Sequence, residues 1–146
     1  MFEALIEQGK IREFALATKS FHPDFSGGQA VSPPTFLNAV SRIWADVPLD
    51  VAEQLGFDVS RTLHGEEEFI FHTTLPHAGD RLSVDVRITG RAEKVRRNGG
   101  RMRLAVVVRE FRDADGRLVA EQRSTLVETE PPAPADEPTE EEVART

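Results

Sequence analysis

The stretch Pro33-Pro34-Thr35-Phe36-Leu37-Asn38-Ala39-Val40-Ser41-Arg42-Ile43-Trp44-Ala45-Asp46-Val47-Pro48 decides how this chain must fold. Two prolines suit the start of a helix, whose first turn has N–H groups without intrahelical partners. Behind them Phe36, Leu37, Val40, Ile43 and Trp44 recur at helical spacing and cover a wide arc. A helix apolar over so much of its circumference is expected to be buried on most sides, and Pro48 to end it. The second half of the chain changes period. Leu82, Val84, Val86 and Ile88 alternate with Ser83, Asp85, Arg87 and Thr89. Met102, Leu104, Val106 and Val108 alternate with Arg103, Ala105, Val107 and Arg109, and the former row reads as the apolar one. Leu118, Ala120, Gln122, Ser124 and Leu126 form a weaker third row, and Phe69 and Phe71 start an earlier strand after His64. Period two over such lengths predicts antiparallel strands with one wet face. A single strongly curved antiparallel sheet wrapped around a central helix satisfies both patterns, so the expected class is α+β.

Outward from that core the remaining segments find their places. In Lys10-Ile11-Arg12-Glu13-Phe14-Ala15-Leu16-Ala17 the residues Ile11, Phe14 and Ala15 predict an earlier helix. Ser20 to Pro34 holds two Gly and three Pro and reads as an irregular loop running into the buried helix. Residues 49–57 suggest a short amphipathic piece. Asn98-Gly99-Gly100 and Asp113-Ala114-Asp115-Gly116 are hairpin turns, because Gly and Asn accept positive φ. Residues 131–146, rich in Pro, Glu and Ala, have almost nothing to bury. They are expected to form a disordered acidic tail beyond a domain of residues 1–130.

With 146 residues there is room for one domain of ordinary size. The absence of cysteine excludes disulfide scaffolds, thiolate metal sites and thiol nucleophiles. Net charge is −7, of which residues 131–146 carry −4. An acidic chain with one Trp and no Tyr offers poor footing for nucleic acid, so no nucleic-acid partner is expected. The basic strip Arg91, Lys94, Arg96, Arg97, Arg101 and Arg103 reads as a solvated hairpin tip, with a docking patch for an acidic partner as the other reading. No apolar run is long enough to cross a bilayer, and the first residues lack a signal peptide's basic start and apolar block. No membrane association and a cytoplasmic location are the expectations.

Several stretches in order resemble the MaoC-like hot-dog family, and within it the amino-terminal dehydratase domain also seen in type I fatty acid synthases. They are Ile11-Arg12-Glu13-Phe14-Ala15, Ser32-Pro33-Pro34-Thr35-Phe36, Leu63-His64-Gly65-Glu66-Glu67-Glu68-Phe69, Leu75-Pro76-His77-Ala78-Gly79-Asp80-Arg81-Leu82, Arg97-Asn98-Gly99-Gly100 and the run Asp115 to Val127. The resemblance implies a hot-dog fold, in which a curved antiparallel sheet wraps a central helix. It implies acyl-thioester chemistry too: hydration of a trans-2-enoyl thioester or dehydration of the (3R)-hydroxyacyl thioester. The acyl chain is carried on coenzyme A or acyl carrier protein, and neither metal nor cofactor is required. In catalytic members an Asp and a His five positions later activate the water, within a loop reading Asp, any, Asn, Pro, any, His. Aligned on Pro23, the Asp position is Ser20, the Asn position His22 and the His position Phe25. Phenylalanine has no proton to exchange, and an unaided serine hydroxyl is too weak a base. The resemblance therefore implies the half of a heterodimer that has lost the dyad and shapes the acyl-chain channel. The implied partner is a dyad-bearing hot-dog subunit, with a homodimer as the alternative.

The residues leave other roles open. His22, Asp24 and His64 are the weak catalytic candidates, and Pro34, Thr35, Phe36 and His64 the candidate substrate contacts. Each has a plainer role: His22 a turn residue, His64 a strand-end histidine, Thr35 a helix cap, Phe36 and Trp44 core. Glu66, Glu67 and Glu68 read as a solvated strand edge, unless one carboxylate turns into an apolar channel and acts as a base. A hot-dog thioesterase would need Asp24, Glu53 or Glu66 near the helix start. A non-enzymatic homodimer that binds acyl-CoA is the third reading. His72 and His77 are given no role, and no metal site is expected.

Overall fold

The computed structural model describes residues 1–44, 51–97 and 99–130. The expected tail of residues 131–146, the role of Pro48 and that of Asn98 lie outside the described residues. The elements run β1 (Phe2–Leu5), α1 (Gln8–Ala17), a 3-10 turn at Pro23–Phe25, α2 (Phe36–Arg42), α3 (Val51–Leu55), a second 3-10 turn at Val59–Arg61, then β2 (Thr62–Phe71), β3 (Arg81–Val95), β4 (Arg101–Arg112) and β5 (Leu118–Thr129). The five strands form one antiparallel sheet in the order β1-β3-β4-β5-β2. This is the α+β hot-dog architecture. β1 is an addition to the expected pattern, because four residues are too few to display a period.

The central helix is buried as expected but shorter. Phe36, Leu37, Ala39, Val40 and Ser41 are all buried. Phe36, Leu37 and Val40 pack in one cluster with Leu82, Val84 and Phe111 of the sheet. The Ala39 carbonyl accepts from both Ile43 N at 2.8 Å and Trp44 N at 3.2 Å, and a carbonyl shared in this way closes the last turn. The helix thus stops at Arg42, and Ile43, expected on its apolar arc, is 72% exposed. Trp44 still reaches back to the Phe36 ring, at 5.3 Å between centroids. A second cluster joins Val51 and Leu55 of α3 to Ala105, Val107 and Leu126.

The β4 reading needs correction. Its core-facing row is Ala105, Val107, Arg109 and Phe111, not Met102, Leu104, Val106 and Val108. Register fixes this, since Val84 lies opposite Phe111, Val86 opposite Arg109 and Ile88 opposite Val107. Both rows of β4 carry enough apolar residues to pass for the inner one. The inner row also contains an arginine, which the pattern placed in water. On β5 the inward row is the expected Ala120, Gln122, Ser124 and Leu126, extended to Glu128.

Glu128 is 1% exposed and ties the strands to the loop before β2. It accepts from Asp58 N at 2.6 Å and from Arg103 Nε at 2.5 Å, with Arg61 at 3.7 Å. Burial alone would raise its pKa. The Asp58 and Arg103 hydrogen bonds, with the charges of Arg103 and Arg61, outweigh it and hold the carboxyl below its ordinary value. A depressed native pKa adds stability above the unfolded-state value and loses it as pH falls through the native value. Glu128→Gln is therefore expected to destabilise by about 2 kcal/mol at neutral pH, with the difference shrinking as pH drops below about 4. Urea unfolding at several pH values checks this; a difference that does not change with pH contradicts it. The basic hairpin is also paired internally: Arg101 meets Glu93 at 2.8 Å, and Arg96 donates to the Glu130 carbonyl at 2.7 Å. This favours the solvated-tip reading.

Candidate functional site

The loop that the resemblance aligns with the dyad is held by the end of α1. Lys19 has φ 55°, Lys19 N donates to Leu16 O at 3.1 Å, and Ser20 N donates to Ala15 O at 2.8 Å. These two bonds form a Schellman motif with a lysine at the left-handed position, where glycine is favoured. Lys19→Gly is expected to stabilise the protein by about 0.5–1 kcal/mol in thermal or urea unfolding, and a loss of stability contradicts this geometry. Beyond it Ser20 Oγ lies 3.1 Å from Thr18 Oγ1. His22 caps the 3-10 turn through its Nδ1, which accepts from Asp24 N at 3.3 Å, and the Asp24 carboxylate lies 3.6 Å from the same ring. Both side chains are exposed. Phe25 packs against the core, with His22 tilted over it at 5.6 Å. His22 and Asp24 thus satisfy each other at the surface.

At the start of α2, Pro34 and Thr35 are exposed, and Thr35 makes no side-chain capping bond. Phe36 N donates to Pro33 O at 2.9 Å, so the backbone itself closes this turn. Phe36 is fully buried, edge-on to Phe14 at 5.6 Å and 90°. It is a core anchor that fixes where Pro34 and Thr35 stand.

The structure gathers a second group that the sequence reading dispersed. Gly65 sits at a break in the β2–β5 register between His64 and Glu66. A Cβ there would meet Val127 Cγ2 at 2.9 Å, so the extra residue of the bulge has to be small. The bulge changes parity. His64 stands opposite Leu126 and Glu67 opposite Ser124, both on the inward-facing rows. Glu67, not Glu66, is therefore the carboxylate that turns in, while Glu66 and Glu68 are exposed. Glu67 Oε1 accepts from Gln122 Nε2 at 2.5 Å and from Ser124 Oγ at 2.8 Å, and Glu67 Oε2 lies 3.3 Å from His64 Nδ1. The other His64 nitrogen, Nε2, contacts the Arg42 guanidinium. Arginine can only donate, so Nε2 accepts and Nδ1 carries the hydrogen toward Glu67. Gln122 also ties back to α2, donating to Asn38 Oδ1 at 2.9 Å and accepting from Ser41 Oγ at 3.1 Å. Arg109, 7% exposed, donates to Ser124 Oγ at 3.2 Å. Burial pushes the Arg109 guanidinium below its ordinary pKa; Glu67 opposes the shift and Arg42 adds to it. The signal that would have found this group is the lone glycine inside a strand pattern. His72 is occupied at the surface by Glu121 at 3.0 Å, and His77 lies in a turn where its N–H donates to Asp80 Oδ2 at 2.8 Å. Among the described residues no three His, Asp or Glu side chains are grouped to hold a metal ion, and no helix is long and apolar enough to cross a membrane.

The family model described as "FAS1-like, dehydratase domain region" matches residues 2–122. The chain belongs to that family, among the MaoC-like hot-dog proteins. A UPF0336 protein of Saccharopolyspora erythraea is 35% identical over 127 residues, covering 81% of this chain and 77% of that protein. Among solved structures, the C-terminally truncated HadBC (3R-hydroxyacyl-ACP dehydratase) complex from Mycobacterium tuberculosis is similar with a TM-score of 0.65 and 25% identity. That likeness covers 86% of this chain and 89% of that chain. A MaoC-like dehydratase is similar with a TM-score of 0.69 and 26% identity, over 87% of this chain and 39% of that one.

Proposed function

We propose that this chain is the acyl-chain-binding half of an (R)-specific enoyl-thioester hydratase, or (3R)-hydroxyacyl-thioester dehydratase. Its partner is a second hot-dog subunit that supplies the catalytic Asp and His. The observation that carries the reading is the occupancy of the dyad positions: Ser20 beside Thr18, and Phe25 folded onto the core. Neither can take a proton from water or return one to the thioester. The similar HadBC protein is described as a complex and as a (3R)-hydroxyacyl-ACP dehydratase, which supports both the paired arrangement and the acyl-thioester substrate. β2 supports it as well, as the terminal strand of the sheet, laddered among the described residues to β5 alone. A ten-residue edge strand is a surface that proteins normally cover.

In this arrangement the chain contributes shape rather than proton transfer. Pro34 and Thr35, held out by buried Phe36, form part of the channel wall, and His64 on β2 faces the same interior as Glu67. The partner's dyad activates water and returns the proton. The reading is tested by purifying the complex from the source organism with a tag on this chain and identifying the second subunit. A hot-dog chain whose loop reads Asp, any, Asn, Pro, any, His is the expected partner. A chain that purifies only with copies of itself and hydrates enoyl thioesters overturns the reading.

A further inference from the structure

A cavity of about 310 Å³ lies between the end of α2, the start of α3 and the inner face of β2, β4 and β5. One wall carries the guanidinium groups of Arg42 and Arg109 beside the His64 ring, and the other is apolar, formed by Val51, Val59 and Leu126. Arg109 is buried, and among the described residues it makes no ion pair; its one hydrogen bond goes to Ser124 Oγ. A guanidinium carries five N–H donors, and a buried cation without a counter-ion is costly. Glu67 does not fill that role by contact. Its oxygens are already engaged by Gln122, Ser124 and His64. Arg42 likewise has an imidazole for a partner and no carboxylate among the described residues. Among the described residues the guanidinium groups of Arg42 and Arg109 therefore face the cavity with no carboxylate in contact with either.

We infer that this cavity binds a monoanionic carboxylate carried on a short apolar chain, the carboxylate held by Arg42 and Arg109 and the chain lying against Val51, Val59 and Leu126. Planar guanidinium groups pair with carboxylates through parallel N–H donors. The apolar wall selects a tail that inorganic anions lack. This inference does not rest on the dehydratase role, because binding is read without turnover.

The test is a calorimetric or NMR titration of the full chain, in the oligomeric state in which it purifies, with hexanoate, 1-hexanol and inorganic phosphate. Hexanoate is expected to bind saturably, with hexanol and phosphate at least about tenfold weaker, because one charge-assisted contact accounts for that much. Arg109→Gln and Arg42→Gln should each weaken hexanoate about 10–100-fold. Arg42 is exposed, so its variant keeps the fold even if the buried Arg109 variant does not. Phosphate binding as tightly as hexanoate overturns the inference, as does hexanoate affinity unchanged in Arg42→Gln. Absence of hexanoate binding, together with dissociation of the oligomer in the arginine variants, also overturns it and identifies the occupant as an acidic side chain of a partner subunit.

Discussion

Phe36→Ala is expected to lower stability by about 3–5 kcal/mol, the range for removing a fully buried aromatic side chain. Phe36 has no exposed surface and stands between Phe14 and Trp44 in the larger core cluster. Its loss opens a cavity at the start of the helix that the sheet encloses. For a domain of this size each kcal/mol moves the melting temperature by about 2–4 °C, so a drop of about 10 °C follows. Phe36→Leu keeps most of the volume and should cost less than half as much. The pair distinguishes a core anchor from a substrate contact. A shift in acyl-chain preference with the melting temperature unchanged would return Phe36 to the channel wall.

The second large effect separates the two subunits of the proposed enzyme. Within the complex, replacing the partner's catalytic Asp or His should lower turnover about 10²–10⁴-fold, the usual worth of general acid–base help. His22→Ala and Asp24→Asn in this chain should change the rate less than about twofold, because that help comes from another loop. The geometry gives the reason. His22 and Asp24 are both exposed, the His22 ring accepting from Asp24 N at 3.3 Å with the Asp24 carboxylate 3.6 Å from the same nitrogen. A bulky residue at Thr35 should change chain-length preference and leave the pH profile alone, since the channel wall discriminates by contact while the dyad sets the pH dependence. A large loss in either loop variant means that this chain has rebuilt a dyad from His22 and Asp24.

The parts of this fold that were legible in the sequence are those with a long, one-sided pattern. The buried helix, the β3 row Leu82 to Ile88 and the β5 row Ala120 to Leu126 each read correctly, because burial on one face imposes a period. β4 misled because both of its rows are apolar and its inner row contains Arg109. Only the register with β3 separates them, and register is a property of two strands. On β2 the adjacent carboxylates Glu66, Glu67 and Glu68 offered no way to choose the inward one, because the bulge at Gly65 shifts the period and brings Glu67 inside. The interior polar group of Glu67, Arg109, Gln122 and Ser124 was therefore invisible as a group, although each member was in plain view. The start of the buried helix was legible, since Pro33 and Pro34 stand directly before Phe36. Helix length was not: the shared Ala39 carbonyl that ends α2 at Arg42 leaves no trace in an apolar run that continues to Ile43 and Trp44.

The central claim is that this chain lacks its own acid–base pair, and one measurement tests it most directly. Hydration of a trans-2-enoyl thioester is followed for the purified chain alone and again after mixing with its dyad-bearing partner. The chain alone should run at background, and the mixture should rise above it by at least about 10²–10⁴-fold. A purified single chain that turns over as fast as the mixture would contradict the account.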